Sequence, residues 1–502
     1  MVDVLIVGGG SAGCVLAARL SEDEDCAVLL LEAGPDYPTV AECPPDVIDA
    51  CAPTEGHDWG YVSEPDAQGR SIALPRGRLI GGCSATNGCF ALRGSPADYD
   101  GWARLGNPGW SFAEVLPFFR RLEADADFDD EWHGTDGPIP IRRSARSDLN
   151  PVQRAFIDAA MSVGLAYVDD HNRPGAKGVG PTPRNAGDGV RMSTALTYLA
   201  AARPRPNLTV RAQAAVDGIE LRKGRAVGVR LAGGEVVAAG HVVLAAGAYA
   251  SPAILQRSGI GPARELAGLE IDVSADLPVV GRNLIDHPLL AVDLPAQPGT
   301  TGPRFQAIAT LQSQLAPPGD APDVHVFCAG PFDVGQDVSP SGGIFGVVAG
   351  LVLPSSRGSV RLRSPDPTDP PRIDVAHLTH PDDMARMLQA ILLARRISRE
   401  DPLARLVTGA ELFPGPSIDD GDTERLGGAI RARVSTYHHP VGTCRMGDDP
   451  DSGAVVDARG RVHGVEQLHV ADASIMPAIP SANTNLPTIM VAERIAAWLR
   501  QA

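Results

Sequence analysis

Val2-Asp3-Val4-Leu5-Ile6-Val7-Gly8-Gly9-Gly10-Ser11-Ala12-Gly13 passes from an apolar run straight into a glycine-rich turn. Val2 to Val7 has the near-continuous apolar character that a parallel strand buried on both faces requires. Gly8, Gly10 and Gly13 then fit the spacing G-x-G-x-x-G, and Cys14 to Leu20 carries helical apolar spacing. In that pattern the first glycine permits a tight turn, the second lets a pyrophosphate approach the backbone, and the third allows close packing of helix on strand. A second buried strand, Ala27 to Leu31, ends on Glu32, 19 residues after Gly13. A carboxylate there can accept hydrogen bonds from a ribose diol and would repel a 2′-phosphate. Strand, glycines, helix, strand and acid in this order predict a Rossmann-like opening with phosphates at the positive end of the first helix. The motif alone leaves FAD and NAD open.

At 502 residues the chain exceeds one ordinary core, so two domains, interleaved or consecutive, are expected. Hydrophobic residues at 44% and charged residues at 21% place it among soluble globular chains. A net charge of -17 repels phosphate backbones and anionic membranes, which argues against nucleic acid as a partner. No run of 18 apolar residues predicts a membrane span, and the apolar opening lacks a basic leader, so a cytoplasmic protein is expected. The eight cysteines (Cys14, Cys26, Cys43, Cys51, Cys83, Cys89, Cys328 and Cys444) show no CxxC and no paired ligand spacing. They read as free thiols, mostly buried, and no metal is expected.

Along the chain, residues 33–150 read as irregular, including the Trp/Phe-rich stretch Trp102 to Phe119. A helix is predicted over roughly Pro151 to Val163, with strand alternation at Leu208 to Val216 and at Gly228 to Val243. Beyond Pro288 apolar strands alternate with Pro/Gly/Ser loops, followed by a helix from Pro381 to Ser398. The texture changes at Gly281 to Pro288, the clearest internal boundary, and the chain ends in an amphipathic helix from Thr488 to Leu499.

Four further segments carry a resemblance. Arg76-Gly77-Arg78-Leu79-Ile80-Gly81-Gly82-Cys83-Ser84-Ala85-Thr86-Asn87-Gly88, Gly247 to Gly261, Gly281-Arg282-Asn283-Leu284-Ile285-Asp286-His287-Pro288, and Tyr437 to Gly447 with Ala471 to Pro477 and Ser481 to Pro487 resemble the signatures of the glucose-methanol-choline (GMC) oxidoreductase family. The pattern is most similar to its hydroxymethylfurfural-oxidase and choline-dehydrogenase-like branch. The resemblance spans nearly the whole chain. It implies an α/β fold in which a Rossmann-like FAD-binding domain (1–150, 191–288 and 431–502) is interleaved with an α+β, antiparallel-sheet substrate-binding domain (151–190 and 289–430). It implies FAD contacts at Gly8, Gly10, Ser11, Ala12, Gly13, Glu32 and Ala33, and at Gly82 and Asn87 beside the ring. Val216 would hold the adenine edge through its backbone, with Asp472 and Ala473 by the pyrophosphate or ribityl chain, and Asn483, Pro487 and Thr488 completing the set. Two departures stand out. Cys83 replaces the usual Gly, Ser or Thr, and Thr86 stands where some members carry the histidine that bonds covalently to FAD, so non-covalent FAD is expected.

Oxidising an alcohol removes a hydroxyl proton and transfers hydride from the same carbon, so a base with a pKa near neutrality is needed beside flavin N5. The family places that base before the proline of H-P-x-G-T, here His439, and a substrate-oxygen partner at Asn483. An amide there can orient the alcohol and steady a developing alkoxide. His438 and His133 read as structural, although the His133 loop resembles one that the family uses near its active site. Aromatic residues make up 5% of the chain, which argues against a cage for a quaternary ammonium and for a neutral primary alcohol, oxidised to its aldehyde. O₂ or another redox carrier would take the electrons, and oligomeric state is left open. The alternatives are a hydroxynitrile lyase with no net redox and a non-catalytic flavoprotein.

Overall fold

The run Val2–Val7 is apolar because both its neighbours are parallel strands, Val28–Leu31 on one side and Val236–Leu244 on the other. These pairings come from a computed structural model that describes residues 2–51, 53–54, 56–297, 302–316 and 321–501. Leu208–Arg211 extends the parallel sheet beyond Val28–Leu31, and Leu468–Val470 pairs with Val242, Val243 and Leu244. Val216–Arg222 and Arg225–Leu231 add an antiparallel meander to the start of Val236–Leu244. The two runs that read as single strands are thus each divided. The chain leaves the sheet after Arg211, and Gly234, at φ 86°, helps to turn it between Leu231 and Val236.

The last helix spans Asn485–Leu499, beginning three residues before the expected start, and it is buried on almost every side rather than amphipathic. It lies against Ser11–Leu20 and Phe112–Leu122. Its Glu493 is tolerated in that core because Arg19 (2.8 Å) and the Tyr198 hydroxyl (2.6 Å) satisfy it. The stretch expected to be irregular contains, besides a single turn at Pro45–Ile48, two longer helices, Pro96–Arg104 and Phe112–Leu122, each opened by a capping box, Ser95 with Asp98 and Ser111 with Glu114. Proline, glycine and aromatics mask these helices in the sequence, and the Ser-x-x-Asp/Glu spacing is the signal that finds them.

A second sheet has six antiparallel strands in the order Ser435–Thr436, Pro288–Pro295, Gly343–Leu351, Val324–Asp333, Ala307–Leu311 and Gly178–Pro181. Side chains alternate between its faces. Leu290, Val292, Val326, Cys328, Val347 and Ala349 pack on the helices Pro151–Ser162 and Pro381–Ser398. Leu289, Ala291, Phe327, Ala329 and Val348 form the opposite face with Phe90, Phe305 and Tyr437. All eight cysteines are unpaired, and among the described residues no helix is long and apolar enough to cross a membrane.

His133 sits in a buried cluster of charges. Arg93 pairs with Glu123 at 2.7 Å, Arg143 with Asp125 at 2.9 Å and Asp170 at 2.8 Å, and His133 bridges Asp125 (3.1 Å) and Asp170 (2.9 Å). Glu123, Asp125 and His133 converge closely enough for a metal, but Arg93 and Arg143 already supply cations to these carboxylates. Three buried carboxylates face two guanidiniums, with Asp127 reaching Arg143 from the exposed rim, so a protonated imidazole balances the buried charges. Burial opposes that charge, yet the hydrogen bonds that the ring donates to Asp125, Asp170 and Glu123 outweigh it and raise His133 to about 10. Because the folded pKa lies above the unfolded value of about 6.5, the stabilisation is complete below that pH and is lost as pH rises towards 10. We expect His133→Asn to lower the unfolding free energy at pH 6 by about 3–5 kcal/mol, as when one partner of a buried ion pair is removed. Thermal melts of both proteins should show the gap narrowing as pH approaches 10, whereas a gap independent of pH would mean that His133 is neutral in the fold.

Candidate active site

A cavity of about 660 Å³ is lined by residues of both sheets. At its glycine-rich end lie Gly8, Gly10, Ser11 and Ala12, with Glu32, Ala33 and Val216 alongside. Glu32 accepts hydrogen bonds from the amides of Gly9 and Gly34, both at 2.8 Å, which leaves lone pairs on each oxygen. Burial raises its pKa while the Gly34, Gly9 and Ala33 amides pull it down. Gly13 does not face the cavity. A Cβ there would lie 1.8 Å from the Gly8 carbonyl oxygen, so this glycine seats the helix Ser11–Leu20 on the first strand.

Three helices begin at this cavity. Ser11 opens the first and donates to Asn485 Oδ1 at 3.2 Å, where the last helix begins, and Asn485 Nδ2 is buried without a partner. The third, Gly247–Arg257, is capped by Asp472, whose Oδ2 accepts from the Gly247 amide (2.8 Å) and the Ser251 hydroxyl (2.6 Å). Asp472, Ala473, Asn483 and Thr488 line the cavity, whereas Pro487 is turned into the core within the first turn of its helix. Gly82 and Asn87 line it as well, with Cys83 and Thr86. Cys444 is wholly buried away from the cavity. Asn87 Oδ1 accepts from the Cys89 amide at 2.9 Å, so its NH₂ is the group left to face a ring. Gly82, at φ 49°, lets its loop touch the first glycine turn; a Cβ would sit 2.6 Å from Gly10 Cα. Converging helix N-termini and an orphaned donor fit the diphosphate of a dinucleotide, and the carboxylate with free lone pairs fits its ribose diol.

His439 lies where the two sheets join. The segments around Ile285 and Val441 pair antiparallel, and Asp286 Oδ1 accepts from the amides of His287 and His439, both at 2.8 Å. Asp286 Oδ2 takes the Thr436 hydroxyl. The Asn483 NH₂ donates to His439 Nε2 at 3.2 Å, so Nε2 is an acceptor, and the ring proton on Nδ1 points at His287 Nδ1, 3.0 Å away. Asn483 Oδ1 is buried with no hydrogen-bond partner. Burial first, then His287, His438 and Arg76, push His439 well below 6.5, so its imidazole is neutral at neutral pH. His438, at φ 67°, is pushed to about 4 by burial and Arg76; its carbonyl accepts from the Arg76 guanidinium at 2.9 Å.

Beside His439 the cavity wall is aromatic and aliphatic. Tyr437 lies 4.4 Å from the His439 ring and stacks on Phe327 at 5.4 Å, with Phe90 and Phe305 next to Phe327. Leu289, Ala329 and Val348 complete it. The acidic residues among the described lining are Glu32, Asp472 and Asp369. The first two belong to the glycine-rich end, and Asp369 lies on an exposed loop. Sequence reasoning gave no role to these wall residues or to His287. The alternation from Leu289 onward was the one available signal for the wall.

Two models of the GMC oxidoreductase family match the chain, one over residues 2–289 and the other over residues 354–492. The oxygen-dependent choline dehydrogenases of Paraburkholderia phymatum and Sinorhizobium fredii are 38% and 36% identical to it, over 99% and 98% of this chain and 92% and 94% of theirs. The crystal structure of pyridoxine 4-oxidase from Mesorbium loti superposes with a TM-score of 0.91 at 35% identity, covering all of both chains.

The cradle formed by Gly82 can be tested directly. Gly82→Ala adds left-handed backbone strain of roughly 1–2 kcal/mol and a collision with Gly10. We expect a folded protein with much reduced FAD, read from the ratio of absorbance near ~450 nm to that of the protein. Full FAD content would show that the two glycine loops can separate without losing the cofactor.

Proposed function

The chain belongs to the GMC oxidoreductase family, and from that premise we propose that it oxidises a neutral primary alcohol to its aldehyde, with His439 as the base. The enzyme is an FAD-dependent oxidoreductase acting on a small-molecule alcohol and passing electrons to an acceptor. FAD, when bound, supplies the acceptor for the hydride at N5. His439 Nε2 takes the hydroxyl proton, for which its neutral ring is ready at neutral pH. The Asn483 NH₂, which rests on that same nitrogen, turns to the substrate oxygen as alkoxide character develops. His287 Nδ1 receives the Nδ1–H of His439 and so favours the imidazolium that forms. The observation that carries this reading is the His439–Asn483 pair at 3.2 Å, lining the cavity that Gly82 and Asn87 also line.

The substrate class follows from the wall. The wall beside His439 gathers four aromatic rings despite the chain's low aromatic content, and such faces attract a quaternary ammonium. What the wall lacks is a carboxylate to balance the cation it would strip of water. Of the substrates for which the relatives are named, choline carries a fixed positive charge and pyridoxine does not, and the wall of Tyr437, Phe327, Phe90 and Phe305 suits a neutral, flat body. We also assign the two sheets to two interleaved domains, FAD-binding (1–150, 191–288 and 431–502) and substrate-binding (151–190 and 289–430). FAD held without a covalent bond accords with Thr86, and a reducing cytoplasm accords with eight free thiols.

The deciding experiment mixes the purified enzyme anaerobically with benzylic, furanic, aliphatic and amino alcohols. We expect a neutral aromatic alcohol to bleach the flavin and choline to do so poorly. His439→Ala should keep FAD and lose roughly 10²- to 10⁴-fold in reduction rate. In the wild type the acid limb of the rate should fall below pH 6.5, because burial holds His439 under that value. A yellow protein that no alcohol bleaches would turn the reading to a lyase without net redox.

A further inference from the structure

Asn483 stands at the end of a loop gripped from behind by the helix Pro96–Arg104. Trp102 Nε1 donates to the Ala478 carbonyl at 3.0 Å, and Asp98 Oδ2 accepts both the amide (3.0 Å) and the hydroxyl (2.7 Å) of Ser481. The same oxygen accepts the Ser95 amide at 2.7 Å, closing the capping box. We propose that Asp98 is a positioning residue for the reaction, its carboxylate clamping Ser481 so that Asn483, two residues further on, presents its amide to His439 and the alcohol. This rests on the role given to Asn483 above.

Helix capping alone does not account for Asp98. The neighbouring helix Phe112–Leu122 has the same box, and there Glu114 performs the task at the exposed surface. Asp98 is buried, and among the described residues no cation pairs with it. Burial pushes its carboxyl up to about 6, although the Ser481 and Ser95 donors pull the other way. A buried carboxylate without a cation is costly, and it is kept where its acceptor capacity is used. Here that capacity spans 383 positions of sequence to the active-site loop. Ala482, the link between Ser481 and Asn483, is 1% exposed, and its amide closes a tight turn on the Pro480 carbonyl at 2.8 Å. With so little slack, loss of the clamp leaves two buried donors unpaired and shifts the amide that faces His439.

The test is a double-mutant cycle on the FAD-loaded enzyme, with anaerobic flavin reduction by benzyl alcohol as one readout and hydrogen exchange at the Ser481 amide as the other. We expect Asp98→Ala to slow limiting reduction by about tenfold or more, since displacement of about 1 Å can cost ~10²-fold. The same change in an Asn483→Ala background should alter the rate by less than about twofold, the signature of residues acting as one unit. Asp98→Asn, which keeps an acceptor oxygen, should recover most of the rate. Ser481 exchange should accelerate in Asp98→Ala and stay protected in Asp98→Asn. Equal losses in both backgrounds, or unchanged Ser481 exchange, would overturn the proposal. Should Asp98→Ala fail to fold, Ser481→Ala takes its place, with slower reduction expected in the wild-type background only, and equal slowing in both backgrounds counting against the clamp. If benzyl alcohol does not reduce the wild type, the reading of the reaction is at fault, and exchange at Ser481 still decides whether the clamp exists.

Discussion

Everything at the centre of this molecule depends on one carboxylate, Asp286, at the seam between the two sheets. It receives the amides of His287 and His439 on one oxygen and the Thr436 hydroxyl on the other. These donors come from two segments about 150 residues apart, held antiparallel by the Ile285–Val441 pairing. A single carboxylate thus joins the strand Pro288–Pro295 of the second sheet to the edge strand Ser435–Thr436 that delivers the histidine loop. The positive φ of His438 is affordable because the residues on either side of it are pinned. An imidazole fixed in this way presents Nε2 to the cavity without having to search for it.

The histidines show how burial acquires opposite meanings. His133 is buried among Asp125, Asp170 and Glu123 and becomes a cation. His287, His325 and His439 are buried among one another, without a carboxylate in salt-bridge contact, and are held neutral. Desolvation opposes the charge in both places, and only a set of acceptors can reverse it. The second arrangement is the one that leaves a lone pair free at neutral pH.

How much of this was legible in the sequence follows from the range over which each feature is encoded. The first strand, the glycine turn and Glu32 are local pattern, and all appear where the sequence puts them. His439 and Asn483 were reached through motif resemblance, and their 3.2 Å approach across 44 residues could not be read from either motif alone. Pro96–Arg104 was missed because tertiary burial of Tyr99 and Trp102 stabilises it more than any apolar stripe, whereas Phe112, Val115, Phe119 and Leu122 do carry helical spacing that Pro117 and the surrounding aromatics disguise. The partners of His287 and Asp98 lie 152 and 383 residues away, beyond any local signal.

The second sheet explains how the cavity wall can vary without disturbing the core behind it. Period-two alternation gives each of its strands one face for the helices and one for the cavity. Leu290, Val326 and Val347 serve the core, while their immediate neighbours Leu289, Phe327 and Val348 line the cavity. A change of size or polarity on the cavity face therefore alters the wall without opening a hole against Pro151–Ser162 or Pro381–Ser398. The loop carrying Asn483 is anchored from the other direction, by Asp98 and Trp102. The wall and Asn483 are thus held by different supports, while His439 hangs from the edge strand of the sheet itself. Substitution on the cavity face of the inner strands Val324–Asp333 and Gly343–Leu351 can change what lies against Tyr437 and Phe327 without touching the Asp286 contacts that hold His439 or the Asp98 contacts that hold the Asn483 loop.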